Sequence, residues 1–293
     1  MQGDVLISTI LPFCLFLIML GMGMSLVVGD FTRVLLQPKA FVVGFLAQML
    51  VLPLLAFLIV SFFEVDPLLA VGLMILAFCP GGTTSNMFSF LAKGDLALSV
   101  SLTALVSVIA PFTIPFLANL SMEYFLGDNS KFQLPFIETV TRLLVITVVP
   151  IALGMVINHF QPNITKLLDK PFKILSIIFL LFISVMLTLK NLDNLVNYVS
   201  QVGIPAVLLN ISALIVALGI ALAFRLNQSQ VVTISFEVGV QNSVTALLIT
   251  NTILKSDVMT ISPAVYGLFM LMIAAVWGVL LSFFLNKKAA STS

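Results

Sequence analysis

Residues Leu68 to Lys93 read LLAVGLMILAFCPGGTTSNMFSFLAK, an apolar stretch interrupted in its middle by Pro80-Gly81-Gly82. Proline withholds a backbone donor and collides with the preceding turn, and paired glycines let the chain unwind. A bilayer span needs roughly 20 residues, so the stretch predicts two half-helices of about a dozen residues each, joined by non-helical backbone at mid-membrane depth. Such backbone is tolerated in a bilayer only where protein or water surrounds it. A second segment, Ser229 to Leu254, reads SQVVTISFEVGVQNSVTALLITNTIL and places Glu237, Gly239, Gln241, Asn242 and Ser243 at the centre of an apolar span. It has no proline, so composition leaves open whether it breaks. Two interrupted spans at corresponding places in two halves of a chain point to the binding site of a secondary transporter.

The rest of the chain sets these segments in lipid. Of its 293 residues 60% are hydrophobic and 9% charged, against about 25% charged in a soluble domain. So few charges cannot cover a water-facing surface, and the chain reads as an all-α integral membrane protein. The net charge of +1, without a basic run, excludes nucleic acid as a partner. Cys14 and Cys79 lie in apolar stretches and read as small core residues. The first basic residue is Arg33, so the opening apolar stretch lacks the positive flank of a signal peptide and reads as a span.

About nine transmembrane helices are expected, over 5–28, 40–62, 68–93, 96–120, 136–157, 172–190, 202–225, 229–254 and 262–286. With the N-terminus outside, the inside loops hold Arg33, Lys39, Lys93, Lys166, Lys170, Lys173, Arg225, Lys287 and Lys288. The outside loops hold only Lys131, Lys190 and Lys255. This asymmetry obeys the positive-inside rule and puts the C-terminus in the cytoplasm, in a cell (inner) membrane. Arg142 follows Glu138 by four residues near an outer helix end, where the two should pair. Residues 1–293 read as a single transporter unit made of two repeats, 5–120 and 136–286, inserted with opposite orientation.

Glu237 is the only acidic residue deep in an apolar span, and no Lys, Arg or His lies deep enough in another span to pair with it. A buried carboxylate needs a partner, so either a cation from solution binds there or the group is protonated and hydrogen-bonded. The candidate ligands are all oxygens: the Glu237 carboxylate, hydroxyls of Ser85, Ser99 and Thr103, amides of Gln48, Asn86 and Gln241, and unwound carbonyls. Such a set suits a hard ion, and one carboxylate suits a monovalent one; sodium fits, and potassium has the same ligand preference. Half-helix N-termini near Thr83-Thr84 and Asn242-Ser243 present backbone donors and the positive dipole end to an anion.

Two long motifs, PGGTTSNMFSFLAKGDLALSVSLT from Pro80 to Thr103 and FEVGVQNSVTALL from Phe236 to Leu248, resemble the signature segments of the bile acid:sodium symporter family. GMGMSL (Gly21 to Leu26) and FLAQMLVLP (Phe45 to Pro53) resemble it too. The resemblance implies an inverted-repeat transporter fold with two broken, crossing helices and panel plus core domains, the first repeat lacking its first helix. It implies two Na+ as coupling ions and no cofactor. Sodium site 1 would use Ser85, Asn86, Ser99, Thr103 and Glu237. Sodium site 2 would use Gln48, Glu237 and Gln241 with the carbonyls of Val238 and Val240. The substrate would be a small organic anion of the bile-acid-like, pantoate or 2-oxo acid class, taken up by alternating access. Helices 5–28, 136–157 and 172–190 would form the moving panel. Several relatives have polar residues where this chain has Leu271 and Met272, which leaves the anion open.

A proton-coupled or uncoupled carrier on the same fold is the alternative. An enzyme is not expected, because the single histidine, His159, sits at a helix end with no metal or nucleophile pattern around it. Beyond the lipid bilayer and the transported species, no obligate protein partner is evident. No stretch is long enough for the soluble output domain of a receptor.

Overall fold

The computed structural model describes residues 2–32, 37–127, 131–190 and 192–290. They are helical throughout, with no strand among the described residues. The order is α1 Gln2–Met24, α2 Val28–Thr32, α3 Pro38–Phe62, α4 Pro67–Phe78, α5 Thr83–Leu91, α6 Leu96–Leu126 and α7 Phe136–Phe160. Then follow α8 Pro162–Lys190, α9 Leu192–Ala223, α10 Gln228–Gly239, α11 Ser243–Leu247 with a π-helical continuation Leu248–Ile253, and α12 Asp257–Ala290.

Among the described residues six helices are long and apolar enough to cross a bilayer: α3, α6, α7, Val196–Ala223 of α9, the joined Gln228–Ile253, and Asp257–Ser282 of α12. The bent pair α4–α5 makes a seventh. α1 contributes a shorter apolar helix, Ile10–Met24.

Local chemistry explains where the helices start. Pro38, Pro67 and Pro162 stand at first turns, where a missing N–H costs nothing. Asp66 accepts from the amides of Leu68 (2.9 Å) and Leu69 (3.4 Å), and Asp95 from Leu98 (3.1 Å). Asn227 and Gln230 form a reciprocal capping box. Some expected boundaries shift. The lysine-rich stretch before residue 172, expected as a loop, is helical from Pro162, so Lys166 and Lys170 ride on α8. α6 continues past 120 to Leu126, and α9 begins at Leu192 rather than 202. α1 stops at Met24, where the Ser25 hydroxyl donates to the Met22 carbonyl (2.7 Å). Arg33 and Asp128 lie outside the described residues. Glu138 and Arg142 pair at 3.1 Å on the surface, as expected.

Contacts between connections define two ends of the bundle. At one, Asp95 N–H donates to the Ser229 carbonyl (3.1 Å) and Gln230 donates to Gln37 (2.8 Å). There too Ser101 donates to the Asp30 carbonyl (2.6 Å), and Asn158 to that of Leu26 (3.0 Å). Lys39, Lys93 and Arg225 sit at this basic end. At the opposite end Asn119 brackets Leu134 with two 2.8 Å bonds and Phe57 packs edge-on against Tyr124. Ser262 also donates to the Leu69 carbonyl there (2.7 Å).

The flanks of the two interrupted segments match in backbone detail. Among the described residues, Glu64, Lys93, Arg225 and Lys255 are the non-glycine residues with left-handed φ (47°, 60°, 53° and 52°). Each closes a helix; the first two flank α4–α5 and the last two flank α10–α11. After the first of each pair, Val65 N–H donates to Val60 O and Leu226 N–H to Ala221 O, both at 3.1 Å. A side-chain cap follows, Asp66 in one case and Asn227 in the other.

α1 and α7 meet without side chains between them. A Cβ on Gly23 would overlap the Ile151 carbonyl, and one on Gly154 would overlap the Leu20 carbonyl and the Met24 nitrogen. Asn158 of α7 ties this pair on: its amide donates to Leu26 O, while its Oδ1 accepts from Thr165 of α8 (2.7 Å).

Candidate functional site

The first interruption bends α4 from α5 by 63°. The second, which composition left undecided, is a real break: α10 ends at Gly239, Val240 is extended (φ −110°, ψ 101°), and α11 starts at Ser243. Its two parts still run on as one span. The breaks touch, because Asn242 N–H donates to the Pro80 carbonyl at 2.9 Å.

Around this contact the predicted oxygens gather. Glu237, 2% exposed, points from α10 toward α5 and α6. Thr103 donates to its Oε1, Ser99 lies 2.8 Å from its Oε2, and the Ser85 hydroxyl is a third partner. Ser99 Oγ also lies 2.7 Å from Asn86 Oδ1, and Thr103 Oγ1 lies 3.3 Å from the same atom. Ser85 Oγ is 2.8 Å from the Gly82 carbonyl. Each hydroxyl has one proton to give and faces two acceptors. The cluster is therefore rich in oxygen lone pairs and poor in protons, and no basic side chain pairs with Glu237 among the described residues. Gly81 permits this packing: a Cβ there would lie 2.5 Å from Glu237 Oε1 and 2.9 Å from Ser85 Oγ.

A second cluster lies on the α3 side. Gln48 sits in a π-helical turn of α3 and donates to the Cys79 carbonyl (3.0 Å) and to Gln241 Oε1 (2.8 Å). Gln241 Nε2 faces three oxygens: Val238 O (2.7 Å), Glu237 O (3.3 Å) and Gln48 Oε1 (3.3 Å). Val240 is buried at the break itself.

The four residues expected to meet an anion line one cleft. Thr83, Thr84, Asn242 and Ser243 border about 430 Å³ of empty volume, walled by Ile18, Met19, Met22, Ile177, Leu180, Met270 and Leu271. Thr83 and Thr84 stand in the first turn of α5, which leads from the break to the basic end. Leu271 faces the cleft, whereas Met272 is 68% exposed and lies outside it. The helix N-termini here are less free than the sequence implied. Asn242 Oδ1 accepts from Thr245 N–H (3.1 Å) and Ser85 Oγ from Gly82 N–H (3.2 Å), so part of the donor set is satisfied locally.

Residues 12–198 of this chain match the sodium bile acid symporter family. The chain belongs to that family. Similar proteins include the ileal sodium/bile acid cotransporter of Homo sapiens, 29% identical over 94% of this chain and 79% of the relative. The probable sodium/metabolite cotransporter BASS1, chloroplastic, of Oryza sativa subsp. japonica is 29% identical over 88% of this chain and 63% of the relative. The P3 protein of Mus musculus is 33% identical over 73% of this chain and 45% of the relative. The chain thus spans less than two thirds of the length of the last two.

In this symporter-family chain two further buried groups shape the second break and escaped the sequence reading. Asn210 of α9 donates to the Gly239 carbonyl (2.7 Å), and Tyr266 of α12 donates to the same oxygen (2.8 Å). Both are fully buried. They hold the last carbonyl of α10, as Gln48 holds that of Cys79 before the first break. An asparagine inside the apolar run around 210 was the signal available. Tyr266→Phe should lower stability by roughly 1 kcal/mol and Asn210→Ala by roughly 2–3 kcal/mol. Thermal unfolding in detergent measures both.

Proposed function

We propose that this protein is a sodium-coupled symporter that imports an organic anion by alternating access. The observation that carries the reading is the proton-poor oxygen cluster closed around Glu237 where the two broken segments touch. A monovalent cation neutralises the carboxylate and uses the lone pairs that three hydroxyls leave over. Oxygen donors with a single carboxylate suit an alkali ion, and the curated relatives named as sodium cotransporters make that ion sodium.

Sodium site 1 then consists of Ser85, Asn86, Ser99, Thr103 and Glu237. Site 2 consists of Gln48, Glu237 and Gln241 with the carbonyls of Val238 and Val240. Gln241 Nε2, with three oxygens around it, stands where a cation could sit once the amide turns. The anion's polar end meets Thr83, Thr84, Asn242 and Ser243, while the apolar wall takes its body. That wall suits a bile-acid-like steroid conjugate, and pantoate or a 2-oxo acid would use the polar end alone.

The matched loops support an inverted repeat. Glu64 precedes Arg225 by 161 positions and Lys93 precedes Lys255 by 162. The repeats are 5–120 and 136–286, within a single unit 1–293 of nine spans that counts α1 and α8 as crossing. α1, α7 and α8 form the panel, and the remaining helices form the core. The basic end faces the cytoplasm of a cell (inner) membrane, with the N-terminus outside and the C-terminus inside. Two Na+ with a monovalent anion move one net positive charge inward, gaining about 2.3 kcal/mol per 100 mV.

Proteoliposomes loaded without sodium should take up a conjugated bile acid, pantoate or pyruvate only when sodium is added outside. An inside-negative potential should speed the uptake. Uptake driven equally by a pH gradient in sodium-free medium would replace the sodium reading with proton coupling.

A further inference from the structure

A second, smaller cleft lies across the break from the first. It has room for about one water molecule and is bordered by Met19, Pro80, Ser107, Ile114, Thr147 and Thr245, among others. α11 leads from the break to the end opposite the basic loops, and Thr245 stands in its first turn. Ser107 and Thr245 are each 2% exposed, and neither hydroxyl has a hydrogen-bond partner among the described residues. The contrast with Thr147 is informative, since its hydroxyl is spent on the Leu143 carbonyl (2.7 Å). Helical serines and threonines normally satisfy themselves in that way. A buried hydroxyl left without a partner carries a desolvation cost unless something in the cleft supplies one. Two such groups border the same small space.

The repeat gives the cleft a meaning. Thr84 lines the larger cleft, and Thr245 follows it by 161 positions, the spacing of Glu64 and Arg225. Each half-helix beyond a break therefore presents a threonine in its first turn, one toward each side of the membrane. Met19 borders both clefts. We infer that the cleft of Ser107 and Thr245 is an outer subsite, which binds a carboxylate or hydroxyl oxygen of the transported anion before it passes Met19. The inference rests on the import reading above. In this conformation the cleft has room for about one water-sized group, so the subsite holds a single oxygen of the polar end rather than the whole solute. The apolar side chains of Met19 and Ile114 leave the hydroxyls as the groups that orient it.

The test uses the full chain with Cys14→Ala and Cys79→Ala, in membrane vesicles of defined sidedness. Ser107→Cys and Thr245→Cys are labelled with an impermeant thiol reagent in right-side-out vesicles, and Thr84→Cys in inside-out vesicles. A conjugated bile acid, pantoate and pyruvate, each with sodium, serve as probes. The expected result is that an anion which protects Thr84→Cys from the inside also slows labelling of Ser107→Cys and Thr245→Cys from the outside. Protection of Thr84→Cys alone overturns the outer subsite and leaves the import reading standing. Protection at none of the three positions overturns both. In parallel, Ser107→Ala and Thr245→Val should each raise the half-saturating anion concentration for uptake roughly tenfold, with half-saturating sodium unchanged. If water alone fills the cleft, neither variant shifts the anion curve and the proposal fails.

Discussion

A Glu237→Gln variant is expected to fold, to lose its response to sodium and to gain stability in sodium-free buffer. The amide has the same shape; its oxygen can accept from one of Ser99 and Thr103 while its NH2 donates to the hydroxyl oxygen of the other, so the contact between α5, α6 and α10 is kept. What it lacks is the charge that makes a dehydrated cation tolerable there. Leaving one charge of a buried pair unmatched costs about 3–5 kcal/mol. Sodium affinity should therefore fall by about two to three and a half orders of magnitude, and sodium-driven uptake should vanish at ordinary concentrations. In the parent protein, sodium at 100 times its dissociation constant should stabilise the fold by about 2.7 kcal/mol. In the variant that increment should be absent. Without sodium the order reverses, because the parent then holds a buried carboxylate with no cation and the variant does not. Thermal unfolding of both proteins across a sodium series reads all three effects. A variant that still gains stability with sodium would show that the ion binds away from Glu237.

How much of this was visible beforehand depends on which interactions were local. Pro80-Gly81-Gly82 announces its break because proline acts on its own helix. The break after Gly239 has no such residue, and its carbonyl is held by Asn210 and Tyr266, each more than 25 positions away. Nearby in sequence only Gly239 and the polar run Gln241-Asn242-Ser243 mark that place, and neither breaks a helix on its own. Spans were legible from hydropathy but their faces were not: Gln228–Ile253 is buried throughout its most apolar window, so no polar stripe marks one side. Charge misled at the start of α8, where lysines read as a loop although Pro162 begins a helix. The oxygens around Glu237 were legible because a lone carboxylate in an apolar span demands partners, and the motif named them. Ser107 and Thr245 were hidden for the opposite reason. A helical serine or threonine is ordinarily bonded to its own backbone, as Ser121 and Thr250 are, and only the packed structure reveals the exceptions.

A large loss of stability is also expected at Gly23, where the damage should leave ion binding intact. A side chain there would enter the Ile151 backbone, and backbone cannot rotate aside as a side chain can. Even Gly23→Ala must push α1 from α7, at a cost of roughly 1–3 kcal/mol for overpacking, and Gly23→Leu should prevent the two helices from docking. Separation also strains the bond from Asn158 to the Leu26 carbonyl, so the connection after α1 loosens with it. The Glu237 cluster, however, is built by α5, α6 and α10, with Gln48 and Gln241 beside it, and α1 supplies none of its oxygens. Gly23→Ala should therefore lower the unfolding temperature while its sodium dissociation constant, read from sodium-dependent stabilisation of the folded fraction, stays within about twofold. Uptake should slow as well, because on the proposed mechanism α1 and α7 belong to the moving panel. Equal losses of stability and of sodium affinity would mean that α1 and α7 help to hold the ion site together, and the division into a moving panel and a fixed core would then be wrong.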